Sequence, residues 1–355
     1  MPRLLAIAPY PYRSADTRYR IYQFVPYLEA KGWTVTVRSF MDDTFFRMYH
    51  EPGHFLTKLA RMIQSSLRRL VDLVTAVQYD VALLHKEAFP FGPPLMEAVL
   101  RRRVPRLVYD MDDAFWTHPP QLKQIGRRLR DPERIPKMLR MVDHVLAGNE
   151  FLAAFARQYN PAVTVFPTVL DTQRYYLRQE PQDNVVTIGW VGRWSSAPYL
   201  ATLENVFARL GATYPNVVLR LIGAGDVAFA GLPVETVPWH LEKEIESIAK
   251  FDVGIMPLPD DIYSRGKCGF KLLQYMALGI PGVASPVGVN KTIVQDGVNG
   301  FLANSENEWL DKLSRLVVEP ELRRQMGHAG RRTVEARFSV EKAIDQLSMV
   351  LMSGD

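Results

Sequence analysis

Short apolar runs alternate with helix-like stretches along the whole chain. In the first half the runs are RLLAIAP, TVTVRSF, VALLH, RLVYD, HVLAGN and VTVFPT; the second half repeats the grammar with VTIGWVG, VVLRLIGAG, VGIMPL, IPGVAS and GFLA. Strands separated by helices imply parallel sheets covered on both faces. The interval PTVLDTQRYYLRQEPQDN has the most linker-like composition. The pattern therefore predicts two doubly wound, Rossmann-like α/β domains, 1–170 and 185–335, facing a cleft and joined by a linker over 171–184. A C-terminal helix is expected over 336–355, with a return to the first domain as one placement.

Length agrees with this division, since 355 residues exceed what one core usually organises. The 47% hydrophobic and 23% charged residues are those of an ordinary globular protein. The single cysteine, Cys268, excludes an internal disulfide and fits a reducing compartment. No apolar run reaches the roughly 18 residues of a membrane span, and the first residues read as a strand rather than a signal peptide. A cytoplasmic protein is expected, either free or peripheral at the inner face of the membrane. The net charge of +5 points to an anionic partner.

In parallel sheets ligands bind beyond the carboxyl ends of the strands, so the residues there carry the chemistry. After the fourth run stands DMDDAFW, with Asp110, Asp112 and Asp113. Carboxylates in this position orient sugar hydroxyls; a D-x-D pair also suits a divalent metal, and either later aspartate also suits a helix cap. His85, ending VALLH, has a similar position and a weaker case. Arg18 and Arg20 open the first helix, where an anion would be favoured. In the second half, Gly189, Gly192 and Arg193 end the first strand; Gly192 admits close backbone approach and Arg193 suits a bidentate diphosphate contact. Trp239 is placed to line a base pocket or to pack in the core. Lys267 and Lys271 flank Gly269 at the start of a helical stretch, a poor place for cations unless an anion sits between them.

The second half resembles the donor domain of family-4 retaining glycosyltransferases of the GT-B fold, through VTIGWVGRW, VVLRLIGAG, DVGIMPLPDD, GFKLLQYMALGIPGVASPVG, VQDGVNGFLA and EWLDKLSRLV. The first half is similar to the same group through ADTRYRIYQFVPYLEAKGWTVTV and VYDMDDAFW. The resemblance implies sugar transfer from a nucleotide diphosphate donor, a UDP- or GDP-sugar, with retained anomeric configuration and neither an obligatory metal nor another cofactor. It assigns Arg193 to the leaving diphosphate. The lysine usual a few residues later is absent, leaving Lys267 or Lys271 to supply that charge. The family's two glutamates, eight positions apart, correspond to Gly266 and Gln274. Gln274 can still reach a ribose hydroxyl, whereas Gly266 has no side chain to offer a sugar. Gly192, Gly269, Phe270, Arg18, Asp113 and Trp239 complete the expected substrate contacts, and Asp110 and Asp112 are expected to position donor or acceptor hydroxyls. Cys268 reads as a packing residue.

The acceptor is expected to be a glycan or a lipid-linked chain. FLTKLARMIQSSLRRLVDLV, residues 55–74, lines Phe55, Leu59, Met62, Ile63, Leu67, Leu70 and Val74 along one helical face and carries Lys58, Arg61, Arg68 and Arg69. The simpler reading buries that stripe in the domain core; the other lays it on an anionic membrane. KQIGRRLRDPERIPKMLR lacks interleaved aromatics, and no nucleic-acid partner is expected. Two rival functions share the architecture: a sugar-nucleotide epimerase and a non-catalytic nucleotide-sugar binding protein.

Overall fold

A computed structural model describes residues 1–117, 131–178 and 184–352. Two compact units emerge, one of Met1–Thr168 with Val340–Asp355, the other Val169–Ser339. The stretch read as a linker thus has its residues 171–178 in the second unit, while 179–183 and the first part of the second basic stretch, 123–130, lie outside the described residues.

The first unit holds one sheet of β1 (Arg3–Ala8), β2 (Thr34–Ser39), β3 (Val81–His85), β4 (Arg106–Met111), β5 (His144–Ala147) and β6 (Val163–Val165), in the order β2-β1-β3-β4-β5-β6. The second unit's sheet contains β7 (Val186–Val191), β8 (Val217–Ile222), β9 (Val234–Val237), β10 (Val253–Met256), β11 (Gly282–Ala284) and β12 (Gly300–Leu302), ordered β12-β11-β10-β7-β8-β9. Every ladder is parallel. Such strands are covered on both faces, which is why β1, β3 and β7 read as unbroken apolar runs. β9 is the strand the pattern missed. It lies at an edge, and its four residues VETV are partly or fully exposed, so the chain there shows no apolar run.

Each order reverses once, at β1/β3 in the first unit and at β7/β10 in the second. At such a switch point the following loops diverge to opposite faces and open a crevice at the carboxyl edge. The helix Val340–Met352 belongs to the first unit, where Arg106 Nε donates to the Val350 carbonyl at 3.1 Å and Tyr27 and Glu341 are 3.2 Å apart.

A buried ionic cluster fastens the first sheet to its first helix, Ala15–Arg20. Arg20 Nε donates to Asp110 Oδ2 at 3.1 Å and a second nitrogen bonds Oδ1; His85 Nδ1 lies 2.7 Å from Oδ2. Arg20 also donates to the Phe166 carbonyl at 3.0 Å. Burial opposes ionisation of Asp110, but the Arg20 charge and the His85 hydrogen bond prevail and hold its carboxyl well below the usual carboxylate range. A carboxylate depressed in the folded state stabilises the fold above its unfolded pKa and loses that contribution as pH falls toward the folded value. Asp110→Asn should therefore cost about 3–5 kcal/mol at neutral pH in urea unfolding, and the variant should lack the part of the acid destabilisation that Asp110 gives the native chain.

Candidate active site

At the β1/β3 switch point stands a lysine that the sequence reading passed over. Lys86 follows β3 with φ +62, a left-handed conformation uncommon for a side chain of this size. Its ammonium bonds Asp16 and lies 3.7 Å from Asp112, while the Phe115 ring centroid is 5.2 Å away. Burial works against the charge, yet Asp112 and Asp16 overcome it and raise the lysine above its ordinary range. The result is a fixed cation threaded between carboxylates that follow β1 and β4. The one sequence signal for it was its place directly after a strand, beside His85.

This edge rearranges the roles expected of the acidic motif. Asp110 is 1% exposed with its carboxylate turned to Arg20 and His85, so it is a framework residue and not a hydroxyl ligand. Asp112 and Asp113, both half-buried, keep surface at the strand edge. Arg18 is likewise 1% exposed; its guanidinium donates to the Arg13 carbonyl at 3.3 Å and stacks on Tyr19, bracing the loop before the helix.

In the second unit the corresponding edge is basic. β7 runs into Gly192 and Arg193, and Arg193 stands exposed at the start of the 3₁₀ helix Trp194–Leu203. A Cβ on Gly192 would fall 2.5 Å from the Trp190 ring and 3.0 Å from Lys271 Cε, so glycine is what allows the Lys271 stem to pass there. The Lys271 ammonium lies over the Trp190 ring, 5.3 Å from its centroid. Trp239 joins the group, its Cβ 3.3 Å from where a Gly223 side chain would begin, and its indole donates to Glu244 at 3.1 Å. Beside it a cavity of about 660 Å³ is lined by Trp194, Pro198, Glu204, Ala224, Gly225 and Phe229.

Lys271 is aimed by the helix that carries it, Phe270–Ala277. Gly269 precedes that helix with φ +70, and the positive end of the helix dipole adds to the lysine's field. One turn on, Tyr275 shares the face of Lys271. Its hydroxyl accepts from the Val191 amide and donates to the Ile255 carbonyl, both at 3.3 Å, pinning the helix across β7 and β10. The ring fits because Gly254 has no side chain; a Cβ there would lie 2.2 Å from it. Lys267 is half-buried with its ammonium 4.0 Å from the Tyr263 centroid, and Cys268 Sγ rests 3.9 Å from the Gly266 carbonyl.

Gln274 does not reach this edge. It is 1% exposed and its amide nitrogen donates to the Tyr175 hydroxyl at 3.3 Å, an internal brace within the unit. The structure thus gathers Gly192, Trp239 and Lys271, sets Arg193 at the same strand end, and leaves Gln274 behind them. Tyr275→Phe removes the hydroxyl that satisfies a buried amide, which should cost about 1–3 kcal/mol; urea unfolding of the variant against the native chain measures it.

Residues 185–319 match the family model described as Glycosyl transferases group 1. The chain is 30% identical over 154 residues to a protein of Bacillus subtilis (strain 168) named putative glycosyltransferase EpsD, covering 42% of this chain and 37% of that one. It is 31% identical over 153 residues to the N-acetyl-alpha-D-glucosaminyl L-malate synthase of Bacillus anthracis, covering 41% and 40%. The chain thus spans about two fifths of the length of the curated relatives it matches. Among solved structures, Anabaena Alr3699/HepE in complex with UDP and glucose superposes with TM-score 0.70 over 99% of both chains at 17% identity. Sucrose-phosphate synthase from Thermosynechococcus elongatus gives 0.71 at 17% identity, over 99% of this chain and 98% of that one. Residues 185–319 thus match the glycosyl transferases group 1 model, on a chain whose fold is that of the GT-B structures it superposes on.

Proposed function

We propose that the protein is a retaining glycosyltransferase that moves a sugar from a nucleoside diphosphate to a glycan or lipid-linked acceptor, and that the basic edge of the second unit holds the diphosphate. The observation that carries this is the Lys271 ammonium fixed over Trp190 beside Gly192, at the strand end that bears Arg193. Arg193 and Lys271, with Lys267 as the third cation of the loop, stabilise charge on the diphosphate as the glycosidic bond breaks. The acceptor hydroxyl attacks the anomeric carbon on the face the leaving group departs from. The C–O bond to the diphosphate breaks, a new C–O bond forms, and the hydroxyl proton passes to a leaving phosphate oxygen, so no separate protein base is required.

Trp239 and the cavity beside Trp194 suit a nucleobase. Uracil is the first base to test, as UDP, because the Anabaena neighbour is described in complex with UDP and with UDP-glucose. In the first unit, Asp112, Asp113 and Asp16 offer carboxylates to sugar hydroxyls, with the Lys86 ammonium beside Asp16 and Asp112. The donor is a substrate and no cofactor is assigned.

Gly266 favours a second reading, binding without turnover, because no side chain stands there to engage the donor sugar. Turnover separates the two. With UDP-glucose as donor and water as acceptor, we expect UDP release by the native chain, with kcat falling about a hundredfold in Arg193→Ala or Lys271→Ala. UDP-glucose binding with no UDP release from any acceptor supplied would favour the binding protein.

A further inference from the structure

The helix Phe55–Thr75 leaves most of its apolar stripe outside, contrary to the simpler expectation; Met62 is the member that packs inward, against Phe40, Met41, Phe45 and Phe46. Phe55, Leu59, Ile63, Leu67, Leu70 and Val74 are 46% to 75% exposed. At 3.6 residues per turn they cover about 120° of the helix surface. The side that faces the protein adjoins the stripe and carries Ser65, Arg69 and Leu73. Arg69 is the anchor there: it is 1% exposed and donates at 3.1 Å to the carbonyls of Ala8 and Ala88. Burial brings its pKa down to about 10 against the opposing pull of Asp72 and Glu97, so it remains a cation at neutral pH. A buried arginine thus does the work a leucine stripe usually does, and the leucines are left outside.

We infer that this stripe docks on an anionic phospholipid bilayer, the helix lying in the interface plane. No helix among the described residues is long and apolar enough to cross a membrane, so lying on the surface is the arrangement open to it. Charge selects the kind of surface. The helices Asp43–His50 and Leu95–Arg103 pack against this one. The three together carry eight basic side chains against three acidic ones. Of the acids, Asp72 pairs with Arg69 at 3.3 Å and Glu97 with Arg134 at 2.5 Å, both inside the unit. Arg47, Arg102 and Arg103 are exposed and enter no ion pair among the described residues. Tyr49, 41% exposed, adds an aromatic of the kind that seats at headgroup level. A second copy of the chain fits less well, because two-fold pairing would bring like-charged borders together.

Sedimentation of the chain with vesicles of phosphatidylcholine, with and without phosphatidylglycerol, tests this. We expect binding to the anionic vesicles that weakens at high ionic strength. The triple variant Ile63→Ser, Leu67→Ser, Leu70→Ser should lower the affinity at least about tenfold, or 1.4 kcal/mol, with its melting temperature kept because these side chains are already exposed. Failure to bind anionic vesicles overturns the proposal, as does binding that the triple variant leaves unchanged. A dimer in sedimentation velocity that the variant dissociates would assign the stripe to a second copy instead.

Discussion

All strands in each sheet run the same way, and the rest of the molecule depends on that constraint. A parallel strand needs a long crossover to reach its neighbour, so every carboxyl end falls on one edge and every crossover helix begins near it. Side chains far apart in sequence are collected there: Asp16, Lys86 and Asp112 in the first unit, Arg193, Trp239 and Lys271 in the second. The two edges differ in sign. The first presents carboxylates around one half-buried lysine, suited to hydroxyl groups, and the second presents cations and a helix N-terminus, suited to phosphates.

What holds these groups in place lies behind them. Asp110, Arg20 and His85 tie β3, β4 and the first helix into one buried cluster, which sets where Asp112 and Lys86 emerge. In the second unit Tyr275 crosses from its helix to β7 and β10 and sets where Lys271 emerges. Both supports are polar and buried, and removing one partner leaves the other unsatisfied in a low-dielectric interior. That is why positioning and stability are linked at these residues.

The alternation of apolar runs and helical stretches carried the architecture, because strands buried on both faces leave a strong signal; β9 escaped because an exposed edge strand leaves none. The placement of Gly192, Arg193 and Lys271 was legible since a strand end, a glycine and a basic helix start are local features. Asp110 and Gln274 were not, because whether a carboxylate or an amide faces a ligand or an internal partner depends on residues such as Arg20 and Tyr175, about a hundred positions away in sequence. Lys86 shows no periodicity, and its role comes wholly from two aspartates brought in by other crossovers. The stripe at 55–74 was visible, but its exposure turned on one buried arginine that periodicity counts as a surface cation.

The central claim is that the basic edge recognises a diphosphate. Isothermal titration of the chain with UDP and with uridine, without metal and then with magnesium, tests it most directly, repeated on Lys271→Ala. The account predicts metal-independent binding of UDP, much weaker binding of uridine, and a loss of about tenfold or more on removing Lys271. Equal binding of UDP and uridine, or UDP binding that Lys271→Ala leaves intact, would contradict it.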